Sequence, residues 1–186
     1  PFYQQAEKKG IKPIIGCEMY VAPGAMTDKS GSSAKDAAFH LTLLATNDEG
    51  YRNLVKLSTA GYLEGFYYKP RVDRERLAAH SKGIIALSGC LKGEVATLLQ
   101  SGRFDEAQAT AAAYREIFGA ENYFIELHDF GLDAQRRINP DLVKIARNLD
   151  LGLVAANDVH FLEKSHHEAH DVLICIGTAA NVVDER

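Results

Sequence analysis

Cysteine is scarce: Cys17, Cys90 and Cys175 form an odd set without a CxxC pair, which excludes a disulfide framework and suits a reducing cytoplasm. No apolar run approaches the ~18 residues of a membrane span, and the opening residues predict no secretory signal. The expectation is a cytoplasmic chain with no membrane contact. An excess of positive charge is also missing. The 21 basic and 25 acidic side chains leave a formal net charge of −4, so no global field draws the chain onto nucleic acid, and any DNA contact is local or belongs to another domain. Internal repeats and low-complexity tracts are absent. What is present, 46% hydrophobic and 25% charged residues over 186 positions, fits a globular chain near one average domain of roughly 150 residues.

Pro1 is not an initiator methionine, and Phe2 to Gly10 reads as the end of a helix, with lysines in the last turn and a closing glycine. The expectation is a piece of a longer chain. Ile11 to Val21 is an apolar strand, and Ala22 to Lys35, rich in Gly, Ser and Ala, reads as a long mobile surface loop. A second strand, Phe39 to Ala45, is followed by a capping box Thr46-x-x-Glu49 and a helix whose Tyr51, Leu54, Val55 and Tyr62 share a face. The alternation recurs. Gly83 to Ser88 is a strand, Lys92 to Gln100 a helix, and a further helix carries the stripe Phe104, Ala107, Ala111, Tyr114 and Phe118. Tyr123 to Leu127 and Gly152 to Ala156 are strands around a helix with the stripe Ile138, Leu142, Ile145 and Leu149, and helix returns near Ser165. Five strands alternating with helices predict an α/β fold with a parallel sheet, open or closed into a barrel.

In such folds chemistry sits at the carboxyl ends of strands. After the strand ending at Ala156 come Asp158 and His160, which point the same way if the segment is extended and so can share a metal ion; a solvated turn is the plainer alternative. Cys90 follows the strand ending at Ser88 and is a thiolate ligand or a small buried hydrophobe. Glu18 lies inside an apolar run and needs a cation, either a metal or a neighbouring Lys or Arg. By alternation Cys17 points the other way and packs. His40 sits near the start of its strand, the wrong end of a simple parallel sheet, so geometry argues against it. Glu126, His128, His166, His167 and His170 read as structural, the spacing of His166 and His170 lacking a third ligand.

With these residues in view, the chain resembles the PHP (polymerase and histidinol phosphatase) domain of the bacterial C-family replicative polymerases, the alpha subunits of DNA polymerase III. The likeness runs through Gly10-Ile11-Lys12-Pro13-Ile14-Ile15-Gly16-Cys17-Glu18, Phe39-His40-Leu41-Thr42-Leu43-Leu44-Ala45, Tyr62 to Arg74, Leu87-Ser88-Gly89-Cys90-Leu91, Ala156-Asn157-Asp158-Val159-His160 and Ala169-His170-Asp171-Val172-Leu173. It implies a PHP-type distorted (βα)7 barrel truncated at the N-terminus, with a partial PHP domain over 1–163 and a helix over 164–186 leading toward a polymerase region. It implies a cluster of divalent metal ions, zinc or alternatively manganese, held by Glu18, His40, Cys90, Asp158 and His160, with Asp158 and His160 in the catalytic role. Here His40 rests on the resemblance alone. The family's His-x-His and Asp-His motifs would precede Pro1, so the site is expected to be incomplete. For the intact protein the resemblance implies 3′ to 5′ proofreading or a phosphoesterase activity, a separate magnesium-dependent polymerase site, DNA as partner, and contacts with a sliding clamp and other replicase subunits. The alternatives are a structural module that docks a proofreading exonuclease and, less favoured, a histidinol-phosphatase-like enzyme.

Overall fold

The computed structural model describes residues 2–30 and 38–184. It divides by internal contacts into two units, residues 1–156 and residues 157–186.

The first unit opens with α1 (Phe2–Lys8) and runs through β1 (Gly16–Val21), β2 (Phe39–Ala45), α2 (Asp48–Leu63), β3 (Arg71–Val72), α3 (Arg74–Ala79) and β4 (Ile84–Leu87). It continues with α4 (Glu94–Gln100), α5 (Phe104–Phe118), β5 (Tyr123–Leu127), α6 (Asp133–Asn148) and β6 (Gly152–Ala155). The six strands form one sheet in the order β3-β1-β2-β4-β5-β6. It is not all parallel: β2 runs antiparallel to both β1 and β4, while β1–β3, β4–β5 and β5–β6 are parallel pairs. This corrects the parallel expectation. Helical alternation in the sequence cannot register the reversal, because among the described residues the link from β1 to β2 contains no helix, and an antiparallel pair needs no crossover helix.

One sheet face carries Met19, Val21, Leu41, Leu43, Ile84, Ala86, Tyr123 and Ile125, all buried, and these join the inward stripes of α2, α4, α5 and α6 in one core. The α5 stripe is as read from the sequence, with Ala107, Ala111, Tyr114 and Phe118 buried, and α6 buries Ile138, Leu142 and Ile145. By alternation Glu18 and Tyr20 on β1, with His40 and Thr42 opposite them on β2, occupy the other face.

Three local expectations change. The cap of α2 is Asn47, whose side chain accepts the Gly50 N–H, while the Thr46 hydroxyl donates to the Gly83 carbonyl. The buried face of α2 is Gly50, Asn53, Leu54, Leu57, Ala60 and Gly61, and Tyr51, Val55 and Tyr62 are exposed. The segment after β1 lies on the surface through Ser30 but is tied down at two points: Met26 is buried, its N–H donates to Asp73, and the buried Arg71 guanidinium donates to the carbonyls of Met26 and Asp28. Residues 31–35 of that predicted loop lie outside the described residues. The short elements β3 and α3 escaped the sequence reading. Their signal was the cap, Asp73, which accepts the Arg76 N–H.

In the second unit a 3-10 turn (Lys164–His166) leads into α7 (His167–Thr178), where the sequence placed its last helix. No described helix is long and apolar enough to cross a membrane.

Candidate metal centre

The reversed β2 decides the geometry. Because it starts beside the end of β1, Tyr20 pairs with His40 and Glu18 with Thr42, which makes Glu18 and His40 diagonal neighbours on one face. At the same end β4 finishes, Leu87 lying one step beyond the β2 position that pairs Ala86 with Leu43, and the chain turns through Ser88-Gly89-Cys90 back along β2. The His40 N–H donates to the Lys92 carbonyl at 3.0 Å. Gly89 has φ +84, and a Cβ there would stand 2.7 Å from the His40 carbonyl oxygen, so only glycine lets this turn lie so close to the strand. A histidine at the start of its strand therefore reaches the shared mouth, and the geometric objection to His40 is overturned.

His40 Nδ1 lies 2.9 Å from Glu18 Oε1 and 3.7 Å from Cys90 Sγ, and the three residues can present ligand atoms all within 4.8 Å of one another. The imidazole is half-buried, and Tyr20 meets it edge-on at 5.1 Å between ring centroids. Hydrogen bonding to Cys90, and next to Glu18, raises the His40 pKa to about 9 against the opposing effect of burial. Cys17 behaves as expected of packing: it lies against the core, and burial pushes its thiol pKa up.

Asp158 and His160 belong to the second unit. Asp158 has φ +46, so the condition of an extended segment is not met, and the two side chains do not simply repeat one direction. They still approach, His160 Nδ1 lying 2.7 Å from the Asp158 carbonyl oxygen and 3.9 Å from its carboxylate. A non-glycine residue in the left-handed region is uncommon, and Asp is among the few that tolerate it. The His160 ring also meets His170 at 5.6 Å, which accounts for His170 without a pairing to His166.

Residues 1–130 match the profile of the PHP domain. The chain belongs to the PHP domain family. Over 99% of its length it is 52% identical to a DNA polymerase III subunit alpha of Deinococcus radiodurans, covering 14% of that protein. Proteins of the same name from Treponema pallidum (48% identical over 98% of the chain, 16% of the relative) and Thermus aquaticus (45%, 98% and 15%) give the same picture. The chain thus spans about one-seventh of the length of these relatives.

Within this PHP chain a thiol, an imidazole and a carboxylate converge, the donor types of a zinc or similar borderline ion. The donor chemistry fits the divalent ions implied by the family. Two buried residues next to the Gly89 turn behave as structural. Glu126 and His128, read as structural, form a pair 3.0 Å apart, and the Gly89 N–H donates to Glu126 Oε2 at 3.1 Å.

Proposed function

We propose that this chain is the metal-binding PHP region of a bacterial replicative DNA polymerase alpha subunit, and that in the whole protein it hydrolyses the phosphodiester at a DNA 3′ end. The observation that carries this reading is the convergence of Glu18, His40 and Cys90 within 4.8 Å, supported by similarity to alpha subunits along nearly the whole chain. Glu18, His40 and Cys90 hold the ion, with zinc the best match to the donors and manganese the alternative; Asp158 and His160 are added to the ligand set by the family resemblance. When bound, such an ion lowers the pKa of a water and offsets charge on the phosphoryl oxygens. The chain's own part is to supply fixed donors: Glu18 orients the His40 ring through Nδ1, and the Gly89 turn brings Cys90 to it. Asp158 and His160 act at the reacting phosphate. Nucleotide incorporation uses a magnesium site in another region, and DNA, a sliding clamp and other replicase subunits are partners of the whole protein in the cytoplasm.

The test is elemental analysis and exonuclease assay of the full alpha subunit. Zinc or manganese is expected to copurify, and Asp158→Asn or His160→Asn is expected to abolish 3′ exonuclease activity while incorporation persists. Absence of metal, with no uptake on addition, overturns the reading.

A second reading is favoured by one observation: Glu18, His40 and Cys90 already satisfy one another. As a structural module that docks a separate exonuclease, the region would show no exonuclease activity in the unaltered protein, and Glu18→Ala would lower stability alone.

A further inference from the structure

Beside the candidate centre lies a polar pair to which the function proposed above assigns no role. The Glu126 and His128 side chains are 8% and 6% exposed, with His128 Nε2 3.0 Å from Glu126 Oε1. A buried carboxylate costs several kcal/mol unless its oxygens are matched. Here both are, since Oε2 accepts the Gly89 N–H at 3.1 Å. The Glu126 backbone N–H in turn donates to Ser88 Oγ at 2.9 Å. Residue 126 therefore binds both residues that precede Cys90.

Backbone bonds frame that turn, the Ser88 N–H donating to the Phe124 carbonyl at 3.0 Å and the Gly93 N–H to the Cys90 carbonyl at 2.8 Å, and Glu126 adds a side-chain anchor at Gly89 between them. Gly89 has no side chain, and its approach to the His40 carbonyl leaves no room for one. The His128 backbone is fixed by Asn139, whose side-chain amide donates to the His128 carbonyl at 2.9 Å, and the Phe130 ring lies 5.1 Å from the imidazole between centroids. Its Nδ1 is buried and has no hydrogen-bond partner among the described residues. The adjoining cavity, lined in part by Cys90, Glu126, His128 and Gln135, has a volume of about 10 Å³, which excludes any substrate. The pair connects to the turn before Cys90 through the Gly89 N–H on the Glu126 carboxylate and through the Glu126 N–H on Ser88 Oγ.

We propose that Glu126, oriented by His128, is the positioning residue for Cys90: its carboxylate fixes the Ser88-Gly89-Cys90 turn so that the sulfur stays beside His40. What the thiol then binds rests on the metal reading above, but the positioning does not.

The test uses the full chain in two measurements. In metal-free protein, alkylation of each cysteine by iodoacetamide is followed by mass spectrometry. Loss of a hydrogen bond to a charged group, about 1.5 to 3 kcal/mol, releases the half-buried Cys90, so Glu126→Ala is expected to raise its rate about tenfold or more while Cys17 and Cys175 are unchanged. Glu126→Gln keeps an acceptor toward Gly89 and is expected to restore most of the protection. In the second measurement cobalt is added, and the thiolate-to-cobalt charge-transfer band is expected in the unaltered chain and in Glu126→Gln but not in Glu126→Ala. An unchanged or lower Cys90 rate in Glu126→Ala, or a rise shared by all three cysteines, overturns the proposal. A Cys90-specific rise without any cobalt band in the unaltered chain supports the positioning role and refutes the metal reading instead.

Discussion

At the scale of single residues, the two buried tyrosines next to one another in the core make opposite demands. The Tyr114 hydroxyl donates to Glu94 at 2.9 Å, and Glu94 also accepts from Arg74 at 2.7 Å. The neighbouring Tyr123 hydroxyl is buried without a partner among the described residues. Tyr123→Phe is therefore expected to leave stability equal or raise it by about 1 kcal/mol, since it removes an unmatched polar atom. Glu94→Ala is expected to cost about 2 kcal/mol, because it strands the Tyr114 hydroxyl and a half-exposed guanidinium. Urea unfolding of both variants checks this; a clear loss in Tyr123→Phe would reveal a hidden partner. The cysteines divide similarly. Cys90 faces His40, whereas Cys17 lies against the core, so Cys90→Ser is expected to weaken metal retention, measured by equilibrium dialysis, and Cys17→Ser is not. That division was legible in the sequence, because alternation separates Cys17 from Glu18 and strand position picks out Cys90. His40 was not, since its value depends on the direction of a strand that its own residues do not encode.

At the scale of elements, α2 shows how small residues mislead a reading based on large apolar ones. The helix turns Gly50, Ala60 and Gly61 inward and leaves Tyr51 and Tyr62 more than half exposed, at 53% and 62%. The reason is close approach. A Cβ on Gly50 would lie 1.8 Å from the Gly83 carbonyl oxygen, which also accepts from the Thr46 backbone and hydroxyl. Periodicity weights bulk, so it cannot see a face selected for lacking it, whereas α5, whose contact is made by Ala, Tyr and Phe side chains, was read correctly. Gly50→Ala is expected to destabilise by at least about 3 kcal/mol, beyond ordinary overpacking because the clash is with backbone. Thermal unfolding would measure it, and a loss under about 1 kcal/mol would show that α2 can lift from β4 without cost.

At the scale of the whole molecule, the order of helices and strands was legible but the course of the sheet was not, and the reversed β2 is what gathers donors from β1, β2 and the turn after β4. An ion bound by the native chain and not by the unfolded one adds RT ln(1 + [L]/Kd), about 2.7 kcal/mol at a hundredfold excess over Kd. For a chain of this size that is a rise in Tm of roughly 5 to 10 °C. Zinc is therefore expected to raise Tm by that amount, and a chelator to reverse it. His40→Ala should abolish the rise, because His40 is the residue that touches both Glu18 and Cys90. Asp158→Asn and His160→Asn discriminate further. If these two donate to the same ion as proposed, each shrinks the rise; if Glu18, His40 and Cys90 suffice, the rise is unchanged and the ligand set stops at three. A rise that survives His40→Ala would place the ion elsewhere and remove the proposed centre altogether.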